Sequence, residues 1–147
     1  MAEKTVLFVC VQNAGRSIMA EAMFNRDPPA GWRGVSAGTQ PASGANPRTL
    51  RLLHEIGLDP PSHPPQLLTD EMTKSASLVI TMGCLESESC PAGLRLIETR
   101  DWALPDPAAL DDDGFRGVRQ LIWQNIEDLH RELARTEGRR ERPASGR

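Results

Sequence analysis

The sequence predicts a single three-layer α/β domain: an open, four-stranded parallel sheet flanked by helices. Three observations carry that prediction. TVLFVC at 5–10 and SLVITM at 77–82 are unbroken apolar runs of strand length, as expected of strands buried on both faces. Segments with helical spacing of apolar residues alternate with them, the pattern of a parallel sheet rather than hairpins. The chain has 147 residues, enough for one domain with a real core.

The elements follow in order. After the first strand, SIMAEAMFNR at 17–26 places Ile18, Met19, Ala22 and Met23 at helical spacing, and Asp27-Pro28-Pro29 stops it. GVSAG at 34–38 reads as a short second strand. Asn46-Pro47 combines a capping side chain with a first-turn proline. It opens a helix through Leu50, Leu53 and Ile56 that ends at Gly57. The strand at 77–82 is followed by a weaker one at 94–98. From Asp113 a long helix carries Phe115, Val118, Ile122, Ile126, Leu129 and Leu133 on one face. Its acidic first turn suits the helix dipole. The domain is expected to span 1–135. The arginine-rich stretch 136–147 has no apolar periodicity and reads as a frayed tail.

Composition removes several classes of function. A net charge of −3 is not the footprint of a nucleic-acid binder. No apolar stretch is long enough to span a membrane, and MAEKTVLFVC does not have the layout of a signal peptide. A cytoplasmic location is the expectation. The cysteines at 10, 84 and 90 are an odd set, which in a reducing compartment suggests free or catalytic thiols. There is no CxxC, and His54, His63 and His130 are scattered without ligand spacing. A structural zinc site is therefore not expected, and no metal or cofactor is assigned.

The chemistry concentrates in CVQNAGRS, residues 10–17. In open α/β sheets, ligands bind beyond the carboxyl ends of strands, and this stretch occupies the first strand-to-helix turn. Ala14 and Gly15 permit close backbone approach, so the N–H groups of Val11 to Arg16 (Val11, Gln12, Asn13, Ala14, Gly15 and Arg16) can converge into an anion nest. That nest sits at a helix N-terminus, whose positive field favours the thiolate of Cys10. Arg16 supplies a planar fork for two oxygens of a tetrahedral anion. Ser17 can donate a hydrogen bond to the thiolate, and Asn13 can brace the loop through its amide. The competing reading is a buried strand cysteine and a surface arginine. The surrounding strand, glycine and helix start favour the functional one.

These residues resemble the phosphate-binding loop of the low-molecular-weight protein tyrosine phosphatase superfamily, which includes arsenate reductases recycled by thioredoxin. DWALPDP at 101–107 looks like that family's general-acid loop. The resemblance extends to Glu21, to SAGT at 36–39 and to the run from Pro47 through Leu53 to Gly57. It implies Asp106 as the general acid, which must carry a proton to act, a state that partial burial favours.

A phosphatase needs only water to cleave a phosphocysteine. A reductase must supply two electrons, taken from two thiols that end as a disulfide. Cys84 follows the strand 77–82 and so lies at the same sheet edge as Cys10. The resemblance implies that Cys84 attacks Cys10, that Cys90 then attacks Cys84, and that thioredoxin reduces the product. If 84–90 were helical, the two cysteines would stand about 9 Å apart along the axis. A disulfide needs Cα atoms within roughly 7 Å, so residues 84–92 are expected to rearrange on oxidation. The chain has no tyrosine, and aromatic residues that would wall a phosphotyrosine cleft are missing beside Asp106. A small inorganic anion, arsenate, suits the site better. A low-molecular-weight phosphatase and a non-enzymatic oxyanion or arsenite sensor are the alternatives.

Overall fold

A computed structural model describes residues 3–82, 99–105 and 110–141, with side chains through residue 135. The elements are β1 (Lys4–Cys10), α1 (Arg16–Arg26), β2 (Trp32–Gly38), α2 (Pro47–Glu55), α3 (Asp70–Ser75), β3 (Leu78–Thr81), β4 (Thr99–Asp101) and α4 (Asp112–Glu141). The strands form one parallel sheet in the order β2-β1-β3-β4. The predicted architecture is therefore the observed one.

β1 is central because its sequence can be buried on both faces. Val6, Leu7, Phe8 and Val9 are all fully buried. Successive side chains of a strand point to opposite faces, and the core divides accordingly. Val6, Phe8 and Cys10 face the larger layer, with Ile18, Met23 and Phe24 of α1, Leu52 and Leu53 of α2, and the Phe115–Leu133 stripe of α4. Leu7 and Val9 face a smaller layer with Ala37, Leu68, Val79 and, at its margin, Met72 of α3. Helices on both faces make the three layers.

The helix ends are chemically specified. Asn46 caps α2, its side-chain oxygen accepting from the Arg48 N–H at 2.9 Å. Gly57 follows with φ of 77°, a left-handed conformation that glycine adopts without steric cost. α2 is then tied to α4 by Arg116 and Arg119, both bonded to Glu55. The hydrogen bonds from these two guanidinium groups hold the Glu55 carboxyl down at about 2.

Two elements differ from expectation. β2 begins at Trp32, two residues before the predicted start, because Trp32 is buried while Arg33 is exposed. That is the alternation of a half-covered edge strand. α3, capped by the Thr69 hydroxyl accepting from Met72 N–H, was not predicted. The strand expected at 94–98 lies outside the described residues, and β4 is described at 99–101. α4 is described to Glu141.

Candidate active site

The strand order creates a crevice where the site is found. The chain passes from β1 to β2 on one side and later to β3 on the other. The carboxyl end of β1 is therefore the topological switch point, where α/β sheets bind ligands. Cys10 is the last residue of β1, 3% exposed, and α1 begins six residues later at Arg16.

The turn between them is held from outside by the segment following β2. The carbonyl oxygens of Cys10, Val11, Gln12 and Ala14 accept from the N–H groups of Thr39, Gln40, Ala42 and Asn46 at 3.3, 2.8, 2.9 and 3.0 Å. Across a planar trans peptide the N–H points opposite to the carbonyl. Turning these carbonyls toward 39–46 therefore turns the N–H groups of residues 11, 12, 13 and 15 the other way. The Asn13 N–H accordingly donates to Cys10 Sγ at 3.3 Å. Asn13 adopts φ of 50°, a left-handed conformation that asparagine tolerates better than most residues. Gly15 instead serves as the N-cap of α1, with φ of −137°.

Ser17, in the first turn of α1, reaches back to the thiol, with Oγ 2.9 Å from Cys10 Sγ. The direction of that bond follows from its neighbours. Asn13 Nδ2 donates to Ser17 Oγ at 2.8 Å, so the serine proton is free to point at sulfur. The other Nδ2 hydrogen goes to Ser36 Oγ at 3.0 Å, and the Ser36 hydroxyl donates in turn to Glu21 Oε1 at 2.5 Å. Asn13 Oδ1 accepts from the Gln66 N–H at 3.0 Å. Asn13, Ser17 and Ser36 are fully buried, and this chain of bonds satisfies each of them.

Arg16 leaves the loop in the opposite direction. Its Nη1 donates to the carbonyls of Met82 and Leu104 at 2.7 and 2.9 Å. One guanidinium nitrogen thus links the turn after β1 to the end of β3 and to the stretch after β4. That stretch is folded back by Ala103, whose φ of 46° costs a non-glycine residue about 1–2 kcal/mol. It is also held by Trp102 N–H on the Thr81 carbonyl at 2.9 Å. Leu104 precedes Asp106 by two positions. Asp106, Cys84 and Cys90, and with them the rearrangement expected over 84–92, lie outside the described residues.

Residues 5–139 match the low molecular weight phosphotyrosine protein phosphatase family. The chain belongs to that family. Among curated relatives, an arsenate reductase of Staphylococcus aureus is 30% identical over 88% of this chain and 98% of its own length. A thioredoxin-dependent arsenate reductase of Corynebacterium glutamicum superposes with a TM-score of 0.75 at 31% identity, covering 92% of this chain. This chain spans only 64% of that protein's length. The arginine phosphatase YwlE of Geobacillus stearothermophilus superposes with a TM-score of 0.79 at 25% identity, covering 95% of this chain and 98% of that one. Proteins that resemble the chain thus carry the names of arsenate reductases and of an arginine phosphatase.

Three further residues contribute to the site. His63 and Gln66 lie in a stretch without regular structure, yet His63 Nε2 is 2.8 Å from Glu21 Oε1 and Gln66 meets Asn13. Gly38 is the third. A methyl group there would stand 2.6 Å from the Val11 carbonyl oxygen and 2.9 Å from Asn13 N, both backbone atoms that cannot swing aside. Gly38→Ala is expected to lower unfolding free energy by about 1–3 kcal/mol and to slow Cys10 alkylation. Urea unfolding with an alkylation assay checks both. Wild-type values would show that the loop does not depend on this close approach.

Proposed function

We propose that this chain reduces arsenate to arsenite, with Cys10 as the nucleophile. The supporting observation is the placement of Cys10 Sγ, which meets the Ser17 hydroxyl at 2.9 Å and the Asn13 N–H at 3.3 Å. Both groups are within hydrogen-bonding distance of the sulfur that attacks. The loop N–H groups of residues 11–15 and the Nε and Nη2 hydrogens of Arg16 receive the arsenate oxygens. Arg16 Nη1 is already committed to two carbonyls, which orients the rest of the fork at little further entropic cost.

The steps balance as follows. Cys10 sulfur bonds to As(V) as one arsenate oxygen departs, taking up protons to leave as water, with Asp106 as the donor. Cys84 thiolate then attacks Cys10 sulfur. The sulfur–arsenic bond breaks with its electron pair going to arsenic, releasing arsenite and leaving a Cys10–Cys84 disulfide. Cys90 attacks Cys84, which frees Cys10. The dithiol of thioredoxin reduces the Cys84–Cys90 bridge by exchange. A cytoplasmic location suits such a cycle. No helix among the described residues is long and apolar enough to cross a membrane.

The same loop serves hydrolysis if water attacks a phosphocysteine instead, and the similarity to the Geobacillus arginine phosphatase favours keeping that second reading. The assay is arsenate turnover with thioredoxin, its reductase and NADPH, beside hydrolysis of an aryl phosphate. Steady thioredoxin-linked turnover is expected, with Cys84→Ser and Cys90→Ser each reducing it to background. Full activity in Cys90→Ser sinks the three-thiol relay. Turnover supported only by a small thiol replaces the partner but keeps the chemistry. Phosphate release without arsenate reduction assigns a phosphatase, and binding without turnover a sensor.

A further inference from the structure

Five residues, 105–109, separate Leu104 from Leu110, and Asp106 is among them. Arg16 ties the Leu104 carbonyl to the nucleophile loop, and a second arginine ties the Leu110 carbonyl. We infer that Arg48 is a positioning residue for the proton donor, acting on Asp106 through Leu110. This rests on the reading of Asp106 as the acid of the proposed reaction.

Arg48 stands in the first turn of α2, close in the chain to a contact with the loop that holds Cys10. Asn46 Oδ1 accepts from the Arg48 N–H at 2.9 Å, and the Asn46 N–H donates to the Ala14 carbonyl at 3.0 Å. The Arg48 side chain reaches α4. Its guanidinium carbon lies 4.9 Å from the centre of the Phe115 ring, a cation–π contact with a fully buried residue. From there Nη2 donates to the Leu110 carbonyl at 2.6 Å. Nε stands 3.3 Å from Asp112 Oδ1, an ion pair without the alignment of a hydrogen bond. Asp112 is held in turn by Arg51 at 2.8 Å. Stacked on a ring and flanked by a carboxylate, the guanidinium is oriented before it meets the carbonyl, and a charged donor makes the stronger kind of hydrogen bond.

The other side of Leu110 is fixed by α4. The Asp111 carbonyl accepts from the Phe115 N–H at 2.9 Å and its Oδ1 from the Gly114 N–H at 2.8 Å. A methyl group on Gly114 would stand 2.9 Å from Leu110 Cβ, so Leu110 is already pressed against the first turn of the helix. What the helix leaves open is the rotation of the Leu110 carbonyl, which sets the direction from which the chain must approach. Arg48 closes that rotation. A short connection pinned at both ends has fewer conformations than one pinned at a single end. That matters for an acid, which must come within about 3 Å of the departing oxygen, because a misplacement of about 1 Å can cost about 10²-fold in rate. Arg16 holds only the end before Asp106; Arg48 holds the end after it. Both ties lead back to the Cys10–Arg16 turn, one directly and one through Asn46, so nucleophile and acid share one frame.

The test is a double-mutant cycle on kcat/KM for arsenate in the thioredoxin-linked assay, with inorganic phosphate as a competitive probe of the anion nest. Arg48→Met keeps a stem over Phe115 and removes the guanidinium. It is expected to lower kcat/KM by about tenfold, part of the roughly 10²–10⁴-fold that a positioned acid supplies, while phosphate inhibition is unchanged. In an Asp106→Asn background the same substitution should have no further effect, because the group it positions is gone. Thermal melts identify any variant that fails to fold. Should Arg48→Met be one, Gly114→Ala, which pushes on Leu110 from α4, is measured in the same cycle with the same expectations. An equal loss with and without Asp106 overturns the inference, as does wild-type kcat/KM in folded Arg48→Met. Phosphate inhibition weakened in proportion overturns it too, by making Arg48 a support of the nest. If Asp106→Asn alone turns over at the wild-type rate, the reading of Asp106 as the acid has failed and the inference falls with it. If the protein hydrolyses an aryl phosphate and reduces no arsenate, only the reductase reading fails, and the cycle is measured on hydrolysis, which draws on the same acid.

Discussion

Cys10→Ser is expected to lower arsenate reduction to background, a loss on the order of 10⁴-fold or more, while the protein stays folded. The two parts of this expectation have different causes. Serine has nearly the shape of cysteine, and its hydroxyl can keep the contacts that Sγ makes with Ser17 and the Asn13 N–H. The fold around it, Val9 below and Ala14 beyond, is closed by backbone bonds that do not involve sulfur. The chemistry has no such substitute. A hydroxyl is not ionised near neutral pH and cannot form the disulfide that carries two electrons away. Turnover with thioredoxin, measured beside a circular dichroism melt, checks both parts. Residual reduction above one part in about a hundred would mean that another thiol attacks arsenic, with Cys84 the first candidate. Hydrolysis of an aryl phosphate should fall as far, so this substitution tests the nucleophile and not the choice between reductase and phosphatase.

Arg16→Lys should cost about 10²–10³-fold in kcat/KM for arsenate, the range seen when a group that stabilises developing negative charge is removed. Charge is conserved, so a purely long-range electrostatic role would leave activity nearly intact. The geometry argues otherwise. Nη1 holds Met82 and Leu104 carbonyls simultaneously, and only a fork can do this and still offer Nε and Nη2 to an anion. A lysine ammonium has three donors on one atom. It must choose between the two carbonyls and the ligand. Losing the Leu104 contact would also loosen the stretch that leads to Asp106, so the pH dependence of turnover should change with the rate. Steady-state kinetics of Arg16→Lys across pH 6–8, a range chosen to bracket about pH 7, measures both. Wild-type kcat/KM would reduce Arg16 to a structural tie.

The sequence carried the site's location because the relevant signals are local. A strand that can be buried on both faces must be central, and a turn that opens a helix after it must lie at the sheet's carboxyl edge. Asn46-Pro47 and Gly57 mark the ends of α2 by backbone chemistry that each residue performs on its own neighbours. α3 was missed for the complementary reason. Six residues with one buried side chain, Thr73, present no apolar period, and a hydroxyl cap such as that of Thr69 on Met72 is common in loops as well. The early start of β2 was missed because an edge strand alternates, and Trp32-Arg33 alone is too short a pattern to register.

His63 and Gln66 illustrate the limit most directly. They meet Glu21 and Asn13 across 42 and 53 positions of chain, and nothing in HPPQ itself indicates an end contact with the loop that holds Cys10. Gly38 reads from sequence as an ordinary strand residue, and only the approach of Val11 and Asn13 makes its missing side chain necessary. The carbonyl bonds from 39–46 are of the same kind, since backbone polarity is identical at every residue and cannot single out a partner. What the sequence determined by itself was the α/β class and a thiol, an arginine and a small-residue turn at one sheet edge, because periodicity and capping are properties of neighbouring residues. Which way the loop's N–H groups point, what Arg16 ties together and which distant ring meets Glu21 were decided only by tertiary structure, where hydrogen-bond direction depends on groups the chain brings together from far apart.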